Sequence, residues 1–155
     1  MDFSNLTEII DFAIANEIEA ADFYRSVSEQ ESFSGKKQMF LEFAAEEHKH
    51  QALLEDLKAG KAGAKVEDYE FKWITDIKRS DYVDDIEYKP GMAYNEILLL
   101  ASKREEKALK LYNELLAQAD TDDARKVFKI LCQEEAKHKL ALETMLDDFM
   151  AEAGD

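Results

Sequence analysis

The sequence predicts an all-α protein, a four-helix bundle built from two repeated helix pairs with one long crossover between the second and third helices. Three observations point there. Only 5 Gly and 1 Pro interrupt 155 residues, and the chain is rich in Ala, Glu, Lys and Leu, the residues that favour helix. Four stretches carry apolar residues at alternating spacings of four and three, the stripe of a packed helix. The second half repeats the first with a constant offset, since 105 − 17 and 135 − 47 both give 88.

The first helix is expected over residues 4–30, with Ser4 as its cap. Its stripe reads Leu6, Ile10, Ala13, Glu17, Ala20, Tyr24 and Val27. Glu17 is the one charged member, and a carboxylate inside an apolar stripe is costly unless it is paired or binds a metal. Gly35 marks the expected break. The second helix then runs over about residues 36–57 with the stripe Phe40, Phe43, Glu47, His50, Leu54 and Leu57. Ala59-Gly60-Lys61-Ala62-Gly63 ends it.

Residues 58–91 show no sustained helical period and form the expected crossover. Tyr69, Phe71, Trp73, Tyr82 and Tyr88 are scattered along it and would pin it to the bundle, and residues 76–82 would hold a short helical turn. Connections this long are unusual inside a compact domain, but bundles with a long crossover accommodate them. The third helix begins near Met92, with Tyr94, Leu98, Ala101, Glu105, Ala108, Tyr112 and Leu115 on its stripe. After the turn Asp120-Thr121-Asp122-Asp123 comes the fourth, with Phe128, Leu131, Glu135, His138, Leu142 and Met145. Ala153-Gly154-Asp155 is expected to fray. Residues 1–155 read as one domain.

Every stripe is broken by acid at a matched height. Glu47-x-x-His50 recurs as Glu135-x-x-His138, and Glu17 recurs as Glu105. Residues three apart lie on one helix face, so each Glu-x-x-His pair can grip a single metal ion. With all four stripes turned inward, the core holds four carboxylates and two imidazoles. Repulsion and desolvation oppose such a cluster. Two divalent cations balance its charge. Carboxylate and imidazole donors suit iron, and also manganese and zinc. Glu47 and Glu135 should sit between the two ions, with Glu17 and Glu105 each holding one from outside. Tyr24 and Tyr112 lie two turns beyond Glu17 and Glu105 on the same face. They either hydrogen-bond the carboxylates or simply fill core volume.

Other residues are expected to be ordinary. His48 points about 100° away from Glu47 around the helix, and its repeat mate is Ala136, so it should be solvated. Glu46 and Glu134 recur as a pair but lie off the stripe, and read either as solvated or as residues that support the site. The single Cys132 rules out a disulfide within the chain and a Cys-rich metal site, and it reads as a small buried apolar residue. Trp73 and Phe71 read as packing anchors. Ile14, Ile18 and Ala21, with Leu99, Leu100 and the neighbours of Ser102, leave apolar patches off the stripes. Such patches mark partner surfaces, and a homodimer is the first expectation. The net charge of −15 argues against nucleic acid and anionic membrane surfaces. No apolar run is long enough to span a bilayer and no basic, apolar leader opens the chain, so a cytoplasmic location is expected.

Glu from two helices with Glu-x-x-His from the other two resembles the pattern of ferritin-like diiron carboxylate proteins. Residues 13–24 and 46–50, with 101–112 and 134–138, are similar to the erythrin domain of rubrerythrins, and the resemblance covers nearly the whole chain except the crossover. It implies a cofactor of two iron ions (Fe2+/Fe3+, oxo- or hydroxo-bridged) held by Glu17, Glu47, His50, Glu105, Glu135 and His138. It also implies an oxidoreductase that reduces hydrogen peroxide or dioxygen. The alternatives are a ferritin-like ferroxidase that oxidises iron for storage, and a non-catalytic metal-binding module. Two departures stand out. Rubrerythrins usually carry a rubredoxin-like domain with four Cys, so here the electron donor would be an external, rubredoxin-like protein. They also commonly have an extra glutamate one turn after the third-helix ligand, toward which one iron moves. Ala108 stands there, as Ala20 does in the first half, and a symmetric site is expected instead.

Overall fold

The structure, a computed structural model, describes residues 6–61 and 88–153. These form four helices: α1 (Leu6–Gln30), α2 (Ser34–Lys58), α3 (Tyr94–Gln118) and α4 (Asp122–Ala153). Among the described residues there is no strand, and the fold is the all-α, ferritin-like bundle expected. Packing is heaviest within the pairs α1/α2 and α3/α4.

Two apolar clusters fill the bundle, one at each end. Ile10 and Ala13 of α1 share the first with Leu54 and Leu57 of α2, Leu115 of α3 and Phe128 of α4. Phe23 and Val27 share the second with Phe40, Leu98 and Leu142. The start of α1 therefore meets the end of α3, and the end of α2 meets the start of α4. Both facing pairs run antiparallel. Since α2 ends at one cluster and α3 begins at the other, the chain between them links opposite ends of a bundle about 37 Å long at 1.5 Å per residue. Tyr69, Phe71, Trp73 and Tyr82, and the short turn expected at 76–82, lie outside the described residues. Tyr88 does pack as an anchor, its ring edge-on to Phe23 with centroids 5.4 Å apart.

The helix ends follow local chemistry. Gly60, at φ 74°, takes the left-handed turn that releases α2. The Gly60 and Lys61 amides donate back to the Leu57 and Asp56 carbonyls, closing the end as a Schellman turn. The Thr121 hydroxyl accepts from the Ala124 amide at 3.1 Å and caps α4. One boundary differs from expectation: Gly35 does not break the chain. It lies in the first turn of α2, behind the extended Phe33, where the backbone amides have no intrahelical acceptor to lose.

The expected apolar patches are also smaller than the pattern implied. Ala21 and Leu100 are buried at 1% and 4% exposure, and Ser102 is fully buried, while Ile14 and Leu99 are half-buried. Each helix buries a second strip against its antiparallel neighbour, beside the inward stripe. Ile18 alone of that set stays open, at 39%. His48 is exposed as expected, its ring nitrogen 3.2 Å from Gln51. No helix among the described residues is long and apolar enough to cross a membrane.

Candidate metal centre

Between the two apolar clusters lies one polar layer. The helix stripes place Glu17, Glu47, His50, Glu105, Glu135 and His138 in it, all at most 7% exposed. Two sets of donors form there. Glu17, Glu47, His50 and Glu135 bring one donor atom each to within 4.8 Å of one another, and so do Glu47, Glu105, Glu135 and His138. Glu47 and Glu135 belong to both sets. The sharing follows from the repeat, because the two Glu-x-x-His helices face each other antiparallel across the centre.

The histidines reach across the halves. His50 Nδ1 lies 3.1 Å from Glu135 Oε1, 3.5 Å from Glu17 and 3.8 Å from Glu47. His138 Nδ1 lies 2.8 Å from Glu47 Oε1 and 3.6 Å from Glu105. The two rings stack with centroids 5.6 Å apart. The tyrosines cross as well. Tyr24 Oη donates to Glu105 Oε1 at 2.5 Å, and Tyr112 Oη donates to Glu17 Oε1 at 2.5 Å. Helical side chains lean toward the N-terminus, so each phenol returns to the height of the carboxylates. It meets the one on the facing helix.

Burial pushes the Glu47 and Glu135 carboxyls well above the usual range, reinforced by the neighbouring carboxylates, Glu105 foremost. Burial acts the same way on Glu17, but hydrogen bonds from Glu47, His50 and Tyr112 outweigh it and hold Glu17 down at about 2. At Glu105 burial is likewise outweighed, by Glu135, His138 and Tyr24, and its pKa is lowered. Burial disfavours charge on His138, yet Glu105 beside it raises its pKa. Burial and the nearby carboxylates hold both phenols well above their ordinary range. Without metal, then, protons on the central acids and on His138 take over the role of positive charge.

The donor set fits a pair of metal ions. Glu17 Oε2, Glu105 Oε2 and Glu135 Oε2 are buried with no hydrogen-bond partner, and Glu47 Oε1 and His138 Nδ1 lie 2.8 Å apart without making a hydrogen bond. Buried polar atoms are rarely left so, and all five residues belong to the two shared donor sets. A cavity of about 320 Å³ opens onto these carboxylates between α1 and α3, walled by Phe12, Ala20, Ala108 and Leu111, with Arg104 and Lys107 among its lining.

Three features go beyond the sequence pattern. Lys139 and Glu143 pair at 2.7 Å, both almost fully buried. Glu46 and Glu134 are half-buried and, with His50, bring three donor atoms within 4.8 Å of one another. The recurrence of Glu46 at Glu134 was the available signal. Cys132 is only half-buried. Its Sγ lies 3.5 Å from Asn113, and burial pushes the thiol up to about 11, which fits an inert residue.

Comparison with known proteins agrees with this picture. A hypothetical protein from Pyrococcus furiosus has a similar solved structure, with a TM-score of 0.69 over 93% of this chain and 89% of that one, at 24% identity. That likeness speaks to the fold alone. None of the curated proteins compared matches the chain. The model of the rubrerythrin family matches residues 8–146, a span that reaches into all four helices and holds all six clustered acids and histidines, and by that match the chain belongs to the rubrerythrin family.

Proposed function

We propose that the protein is a diiron oxidoreductase that reduces hydrogen peroxide, or less readily dioxygen, with electrons from an external rubredoxin-like donor. The observation that carries this reading is the pair of buried donor sets sharing Glu47 and Glu135. Glu17 and His50 would hold one ion and Glu105 and His138 the other, with Glu47 and Glu135 between them. When bound, two ferrous ions supply the two electrons that cleave the O–O bond of hydrogen peroxide, which with two protons becomes two waters.

The chain's own residues prepare that chemistry. Tyr24 and Tyr112 keep their protons and fix the outer carboxylates. The apolar clusters close both ends of the polar layer, leaving the cavity between α1 and α3 as the approach for a small oxidant. Manganese or zinc would fit the same donors, and a homodimer is the assembly we expect.

The test is to mix anaerobic, ferrous-loaded protein with peroxide and, separately, with air. Reoxidation faster than that of free ferrous ion is expected, with peroxide the better oxidant. Equal rates would remove the enzymatic reading. Size-exclusion chromatography separates it from iron storage, which needs a large hollow assembly rather than a dimer.

A further inference from the structure

The α2/α4 side of the polar layer carries a second set of donors. Glu46 and Glu134 are repeat mates, each one residue before a shared carboxylate. Both are half-buried, and with His50 they offer three donor atoms within 4.8 Å. His50 itself is 3% exposed. Its Nδ1 is turned into the inner carboxylates, 3.1 Å from Glu135. Its Nε2 is buried with no hydrogen-bond partner. The two nitrogens of an imidazole point to opposite sides of the ring, so Nε2 is the nitrogen that His50 turns away from the inner carboxylates.

We propose that Glu46, Glu134 and His50 Nε2 form an outer site for a divalent first-row metal cation, occupied transiently as ions pass to the buried pair. Two carboxylates and a neutral imidazole suit such an ion. The site already has stand-in cations. Lys49 Nζ lies 3.4 Å from Glu46 and Lys137 Nζ 2.9 Å from Glu134. Surface pairs of this kind are weak, so an arriving dication displaces the ammonium groups readily. The net charge of −15 draws cations toward the surface. The route is also separate from the cavity between α1 and α3, so cations and small oxidants approach from opposite sides. A neutral imidazole has one lone-pair nitrogen, so His50 holds an outer ion through Nε2 only while Nδ1 carries the hydrogen against Glu135. The outer site fills before the inner ion beside His50 and empties as that ion arrives.

The inference rests on the reading of the inner cluster as a two-ion centre, and the experiment keeps the two apart. Metal-free protein is titrated with cobalt(II), following the stoichiometry by calorimetry and native mass spectrometry and the filling rate by stopped-flow absorbance. Wild type is compared with Glu46→Gln/Glu134→Gln, and with Glu42→Gln, an exposed acid on the same helix, as control. The expected result is an early, weak cobalt complex in wild type and control that forms before the inner pair is complete and is gone at full loading. The double variant loses it and fills its inner pair about tenfold more slowly, the scale of electrostatic steering, while reaching the same final inner stoichiometry. Equal filling rates in all three proteins, with no early complex in wild type, would overturn the outer site and leave the inner centre standing. A single weak ion in wild type, absent from the double variant, would do the reverse.

Discussion

Replacing Tyr24 with Phe removes one oxygen and little else. The ring keeps its packing against Phe23 and Phe43, at centroid distances of 5.2 and 5.3 Å. What is lost is a fully buried hydrogen bond of 2.5 Å to Glu105. Hydrogen bonds to a charged partner contribute about 1.5–3 kcal/mol. Glu105 Oε1 keeps a neighbour in His138 Nδ1, but at 3.6 Å, so little of that is recovered. The expected cost in metal-free protein is about 2 kcal/mol. At a urea m-value of about 2 kcal/mol per molar, the unfolding midpoint falls by about 1 M with m unchanged. The melting temperature falls by about 4–8 °C. Tyr112→Phe should cost the same, since its phenol bonds Glu17 in the mirrored position. The two phenols bond different carboxylates, so the double variant should lose nearly the sum. Urea unfolding of the four proteins, stripped of metal, measures all of this. A loss below about 0.5 kcal/mol for either single variant would refute the claim that these phenols anchor the outer carboxylates.

Other outcomes follow from the same geometry. Glu47→Ala should disturb both ion positions, because Glu47 belongs to both donor sets, whereas Glu17→Ala should disturb only one; cobalt(II) stoichiometry of the two variants distinguishes them. Metal affinity should rise with pH, since the raised central acids and His138 must release protons to bind; calorimetry in buffers of different ionisation enthalpy counts those protons. Stability of the metal-free protein should move the other way. Groups whose folded pKa is raised stabilise the fold below their unfolded pKa and lose that contribution as pH climbs through the folded value, so above about pH 5 the unfolding midpoint should drop steadily. Glu17 and Glu105, whose pKa values are lowered, are ionised in both states across that window and leave the trend unchanged. Lys139→Met takes the ammonium from a carboxylate buried at 0% exposure and should cost about 3–5 kcal/mol, while Lys139→Met/Glu143→Leu should recover most of it; urea unfolding checks both.

The four stripes and their polar interruptions were legible because the helix period is strict and the repeat offset never changes. Six residues that break four apolar stripes at one height have to meet once the stripes turn inward. Facing partners were less legible. Spacing along one chain ties Tyr24 to Glu17, yet the phenol bonds Glu105, because spacing fixes height along a helix and not what stands opposite. The Lys139–Glu143 pair was hidden for another reason. Its repeat mates, Gln51 and Glu55, form an exposed hydrogen bond of 2.9 Å, so one pattern serves two levels of burial. Only the closer enclosure of α4 tells them apart. Ala21 and Leu100 were misjudged because a stripe analysis assigns each helix one buried face, while antiparallel neighbours use two.

The crossing of tyrosines and histidines between halves makes each helical hairpin an incomplete object. Tyr24 serves Glu105 and Tyr112 serves Glu17; His50 leans on Glu135 and His138 on Glu47. A hairpin on its own therefore presents acids with no phenol and imidazoles without their nearest acid. Two copies of one hairpin, joined about a twofold axis, would supply every missing contact, and the covalent link between α2 and α3 converts that association into a single molecule whose two halves are then free to diverge.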